Sequence, residues 1–227
     1  MKWITISEIL SENKFKTAVK NYRNNRSIGI KKLDDPEAES TDTVTKNSEE
    51  AARHSTVTEV SGKKLLYCQH GGNFPKMRFA RAKMSNVICE AIAIYNALKF
   101  SGYIDDDEDF EEFFKISCEF EVNAQYIITG GHWGTDYKRL GEFLNSRSIP
   151  FKIITDTEKA DAMLKNAKCA VISYKFYLFG VHTFMCFYDS GKVISVNRGS
   201  GCLYLWKNKS IKECLRGQKL AAAYLIY

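Results

Sequence analysis

Proline and glycine are sparse, 3 and 14 in 227 residues, which excludes collagen-like and low-complexity chains. No uninterrupted apolar run approaches the about 20 residues that cross a bilayer, so no integral membrane segment is expected. The opening stretch MKWITISEILSENK breaks its apolar residues with Ser and Glu and lacks a small-residue cleavage site, so a secretory signal is not expected. The seven cysteines contain no Cys-x-x-Cys pair and no tandem metal spacing. The one Cys/His proximity, Cys68 with His70, has no second pair to complete a zinc site. Gly-rich phosphate loops, nucleotide fingerprints and zinc-hydrolase histidine pairs are also missing. Positive charge is concentrated at one end. Of the net +6, residues 1–30 hold six basic side chains against two acidic ones, which leaves the remainder nearly neutral. That is a poor footprint for nucleic acid, and no nucleic-acid partner is expected.

What is present is 44% hydrophobic and 26% charged, the balance of a packed soluble domain. Three segments are read. Residues 1–30 form a basic amphipathic helix, with Thr5 and Glu8 spaced as a capping box and Phe15, Ala18, Val19 and Tyr22 on one face. Residues 31–64 are a polar, charged linker without an aromatic residue, holding a short helix near 48–53 and a solvated His54. The main domain runs over 65–227. Its clearest helix is MSNVICEAIAIYNALKFSGY, which Ser85 or Asn86 can cap and Gly102 ends. An acidic stretch at 105–112 leads into FFKISCEF and complements a helix macrodipole without any ligand. DYKRLGEFLNSRS and residues 159–166 read as further helices, and PFKIIT as a short strand. From Cys169 onward the pattern is β: CAVISY, VHTFMCFY, KVISVN, CLYLW and AAAYLIY. Helices first and strands last predict an α+β domain of two lobes. Cys118, Cys169 and Cys186 sit in apolar stretches, so most cysteines are read as reduced core residues of a cytoplasmic protein.

Cys89 falls in the first turn of its helix, where unpaired N–H groups and the macrodipole favour a thiolate. It is either a nucleophile or a small core residue. A nucleophile needs a base, and the chain has four histidines. His182 opens the strand VHTFMCFY, a costly place for an imidazole without a partner. A two-residue turn at Ser190 and Gly191 sets the hairpin register so that Tyr188 faces Val193, Phe184 faces Asn197 and His182 faces Gly199. His182 and Asn197 are then diagonal neighbours on one face, within reach of a side-chain hydrogen bond. In that arrangement Asn197 accepts from Nδ1 and turns Nε2 toward the nucleophile; otherwise it merely ends a strand.

The order Cys89, His182, Asn197 resembles that of papain-like cysteine peptidases. The middle of the chain is most similar to the small bacterial branch that includes the bacteriocin-leader (double-glycine) peptidases. GTDYKRL at 134–140, VHTFM at 181–185 and VNRG at 196–199 bear the likeness, which spans about 65–227. It implies a papain-like fold, with a helical N-terminal lobe holding Cys89 and an antiparallel β lobe holding His182 and Asn197. It also implies a cysteine peptidase that cuts peptide or protein substrates through a thioester, with no metal and no organic cofactor. With an amine as acceptor the same site would be an acyltransferase or amide-forming enzyme. A scaffold without catalysis would be a binding module. No motif speaks to oligomeric state. Two departures stand out. Lys83 occupies the position, six residues before the Cys, where the family has an oxyanion-holding Gln. Asn86 or Gln69, with the Cys89 backbone N–H, is the expected substitute. Glu90 follows the Cys and either faces solvent, binds a basic substrate group or opposes thiolate formation. In GGHWGT, Trp133 walls a cleft or anchors a loop, and His132 is the reserve base.

Overall fold

The computed structural model describes residues 31–32, 57–66, 68–70, 74–79, 82–119, 139–176, 180–197 and 205–227. The N-terminal helix, the short helix near 48–53, His54, His132 and Trp133 lie outside the described residues. A short strand β1 (Lys31–Lys32) pairs with β4 (Met77–Phe79), which pairs with β5 (Ala82–Lys83). The far end of the stretch read as a linker is a hairpin of β2 (Val57–Val60) and β3 (Lys63–Leu66). Ser61 and Gly62 turn it, both at positive φ (51° and 76°), the pattern of a type I′ turn. Val60, Leu65 and Leu66 are buried, so the linker reading is corrected over 57–64: this edge of the polar stretch packs on the main core.

The helices are α1 (Cys89–Ser101), α2 (Phe110–Glu119) and α3 (Leu140–Ser146) before the main sheet. Within the sheet region come α4 (Thr157–Leu164) and α5 (Ile211–Leu215). Six strands make the sheet: β6 (Phe151–Ile154), β7 (Cys169–Phe176), β8 (Gly180–Asp189), β9 (Lys192–Val196), β10 (Leu205–Asn208) and β11 (Lys219–Ile226). Their spatial order is β10-β9-β8-β7-β11-β6, antiparallel throughout. The chain is therefore α+β, with helices on both faces of an antiparallel sheet.

Period-two alternation divides the strands between two cores. Val171, Met185, Phe187, Ile194, Val196 and Tyr224 join the core that α1, α2 and α3 cover, with Ile92, Phe113 and Phe143. Ile172, Tyr174, Phe184, Cys186 and Val193 join a second core under α4 and α5, with Leu164 and Ile211. Full burial of a large apolar side chain such as Phe113, Phe143 or Phe184 contributes about 2–3 kcal/mol.

The β8–β9 hairpin has the expected register, Tyr188 opposite Val193 and Met185 opposite Val196. Ser190 and Gly191 turn it at φ 47° and 81°. A Cβ added at Gly191 meets nothing within 4 Å, so Gly191→Ala is expected to cost only its backbone strain. That is about 1–2 kcal/mol, readable in urea denaturation. Gly102 ends α1 at φ 75°, again as expected, and its N–H bonds the Lys99 carbonyl. The other end of α1 differs from expectation. Neither Ser85 nor Asn86 caps it: Met84–Asn86 forms a 3-10 turn, and the N-cap position is Ile88 with no side-chain bond. The Val87 and Ile88 N–H groups instead bond the Met84 carbonyl, which leads the chain into the helix by backbone alone. Among the described residues no helix is long and apolar enough to cross a membrane.

Candidate active site around Cys89

Cys89 is the first residue of α1, and that helix packs on β7 and β8. Its side chain is 6% exposed. Burial pushes the thiol up to about 11, and the neighbouring Glu90 carboxylate pushes in the same direction. Backbone hydrogen bonds from Thr183, and from the start of α1 itself, pull the other way without winning. Glu90 is fully buried, so among its expected roles the solvent-facing one is excluded and opposition to the thiolate is the effect present.

Thr183 follows His182 on β8, so thiol and imidazole meet the strand at consecutive residues. They do so from different sides. Thr183 lies opposite Ser173, its Oγ1 3.0 Å from the Ser173 Oγ, on the face shared with Val171 and Met185 that α1 covers. His182 lies opposite Tyr174, and the two rings meet edge to face at 5.6 Å. Tyr174 and Phe184 belong to the core under α4 and α5, so alternation assigns the His182 side chain to that face.

The link between His182 and Asn197 exists, but in another form than expected. The His182 Nε2 lies 2.9 Å from the Asn197 backbone carbonyl oxygen. A carbonyl only accepts, so Nε2 is the nitrogen that donates in this bond. This reverses the assignment of the two nitrogens expected from sequence. The reason is local: Asn197 leaves the ladder at φ 57°, a left-handed conformation that Asn tolerates better than most residues. That turn presents its carbonyl to the ring and sends its carboxamide elsewhere.

The carboxamide of Asn197 is 1% exposed as a residue and meets Gln69, itself 7% exposed. The Gln69 backbone N–H donates to Asn197 Oδ1 at 3.3 Å, and Asn197 Nδ2 donates to Gln69 Oε1 at 3.1 Å. Gln69 Nε2 donates to the Ser85 carbonyl at 2.8 Å. A backbone donor at one end and a backbone acceptor at the other fix the orientation of both amides. Gln69, read from sequence as an oxyanion donor, is thus tied to Asn197 and to the turn preceding α1. Asn86 is exposed in that turn, and Lys83 is exposed just before it.

Two further side chains were not singled out by sequence. Asn96, buried in α1, accepts from the Leu66 N–H at 2.8 Å and donates to the Leu66 carbonyl at 2.6 Å. Lys99, also buried, donates to the Tyr95 hydroxyl at 2.9 Å, which donates to the Glu108 carbonyl at 2.6 Å. A polar residue on an otherwise apolar helix face was the available signal for both. Cys89, Cys169, Cys186 and Cys214 are buried thiols outside any disulfide. Cys68 is disulfide-bonded, which removes its thiolate as a ligand beside His70. Comparison of the chain with protein-family models, with curated proteins and with solved structures finds no match.

Proposed function

We propose that the chain is a papain-like cysteine hydrolase, a peptidase, with Cys89 as nucleophile and His182 as base. The observation that supports this reading most is the convergence at β8. The thiol at the head of α1 is held by the backbone of Thr183, and the adjacent His182 is held by Asn197. In this reading the helices α1 to α3 and the antiparallel sheet are the two lobes.

With the thiol held near 11, the resting nucleophile is the neutral thiol rather than a preformed ion pair. In this reading the His182 ring reaches the Cys89 thiol only when substrate binds. Nδ1 takes the Cys89 proton as sulfur attacks the scissile carbonyl. The tetrahedral intermediate collapses to a thioester while the imidazolium protonates the leaving amine, and water, deprotonated by the same ring, releases the acid. The Cys89 backbone N–H and Asn86 are the donors proposed for the oxyanion.

The test is covalent labelling of the full chain with peptidyl acyloxymethyl ketones carrying varied side chains, with the labelled peptide located by mass. Labelling is expected at Cys89, lost in Cys89→Ala and slowed at least tenfold in His182→Ala. Iodoacetamide, which needs only an exposed thiolate, is expected to show no such dependence. A second reading, a papain-like binding module without catalysis, is favoured by one observation: alternation puts His182 and the Cys89 thiol on opposite faces of β8. Labelling that is equally slow with both reagents and indifferent to His182→Ala would establish that reading instead.

A further inference from the structure

We infer that Gln69 is a positioning residue for His182, acting through Asn197. This rests on the reading of His182 as a base and extends it, because it assigns the ring's orientation to the segment ahead of α1. The ring is anchored on a main-chain carbonyl, and a carbonyl points where its peptide unit points. The Asn197 side chain does not hold the imidazole; it holds the conformation of residue 197. That conformation is left-handed for a non-glycine residue, which persists where the surroundings over-determine it. Gln69 is what over-determines it. Its main chain and its side chain each bond one end of the Asn197 carboxamide, and its remaining amide group is tied to the Ser85 carbonyl.

The geometry spans 128 positions of sequence between residues 69 and 197. It joins three segments: the turn at Gln69, the turn at Ser85 just before Cys89, and the end of β9. The nucleophile's helix and the base's carbonyl anchor therefore share one buried amide. Cys68, the neighbour of Gln69, is disulfide-bonded and 2% exposed. With Gln69 absent, the Asn197 amide would lose its side-chain acceptor in a buried place, and the peptide unit would be released to follow it.

Long-range proton–nitrogen NMR of the His182 ring, assigned by its loss in His182→Gln, tests this in the full chain at pH 8. The wild type is expected to show the Nε2–H tautomer. Gln69→Met keeps the volume and removes both side-chain bonds. It is expected to give a mixture of tautomers and about a tenfold slower probe labelling of Cys89, with the iodoacetamide rate unchanged. An Nδ1–H tautomer in the wild type would overturn the inference before any variant is made. So would a Gln69→Met protein with wild-type tautomer and wild-type labelling, and in that case the hydrolase reading would stand. If no probe labels the wild type, the hydrolase reading fails, and the tautomer comparison decides the clamp on its own.

Discussion

Asn96→Ala is expected to destabilise the protein by about 4 kcal/mol. The Asn96 carboxamide bonds both the N–H and the carbonyl of Leu66, so a side chain on α1 stands where a neighbouring strand would pair with β3. Asn96 is fully buried and Leu66 nearly so, and water cannot replace the lost partner without opening the core. Each backbone group left unsatisfied costs about 1–3 kcal/mol, and the cavity adds to it. In a chain of this size the loss corresponds to a fall in Tm of about 10 °C. Asn96→Asp is the sharper variant, since it keeps the acceptor for the N–H and sets a carboxylate against the Leu66 carbonyl. It is expected to be at least as destabilised at neutral pH and to recover partly in acid, where protonation restores a donor. Urea denaturation at two pH values reads both effects.

Cys89 is expected to react with iodoacetamide about a hundredfold more slowly at pH 7 than an ordinary thiol, because its pKa stands near 11 rather than 9.0. The rate should climb steadily with pH up to about 11 instead of levelling off near 9. The same shift affects stability. Below pH 9.0 the thiol is protonated in both folded and unfolded chains and contributes no pH dependence. Between 9.0 and about 11 the unfolded chain releases a proton that the folded chain retains, so stability is lost as pH rises. By pH 10.5 the loss is about 2 kcal/mol for this thiol. Cys169, pushed up to about 12 by burial, works in the same direction over a wider window. Cys89→Ala should therefore flatten the decline between pH 9 and 10.5, measured against its own stability at pH 8. A Cys89→Ala protein with the wild-type slope would show that the thiol is not buried in solution.

How much of this was legible in the sequence varied by element. The Ser-Gly turn of the β8–β9 hairpin was readable because two residues at positive φ suit Ser-Gly and fix the register by themselves. The end of α1 at Gly102 was readable for the same kind of reason. Its start was not: a cap made by backbone bonds to Met84 leaves no polar signature at the N-cap, which here is Ile88. The pairing of His182 with Asn197 was anticipated as a neighbourhood and missed as chemistry. Register predicts which residues adjoin, but it assumes that the strand continues. Asn197 leaves the ladder one residue after Val196, and a single left-handed residue exchanges the roles of its carboxamide and its carbonyl. Gln69 was noticed for its amide, yet its partner lies too far along the chain for spacing to reveal. The Val57–Val60 strand was concealed by the polar residues around it, and only its tertiary partner, the core beneath α1, gives it a reason to be ordered.

The place of β11 in the sheet has a consequence for synthesis. Among the described strands β6 pairs only with β11, and β11 also closes against β7, so residues 151–154 lack their described strand partner until residues 219–226 exist. While the ribosome makes the intervening stretch, β7, β8 and β9 can form a local meander, but the edges of β7 and β6 stay open. Open edges of this kind pair promiscuously. A pause in translation between β9 and β11 would therefore prolong a state prone to aggregation, and synonymous codons that speed synthesis of that stretch should raise the soluble yield of the protein.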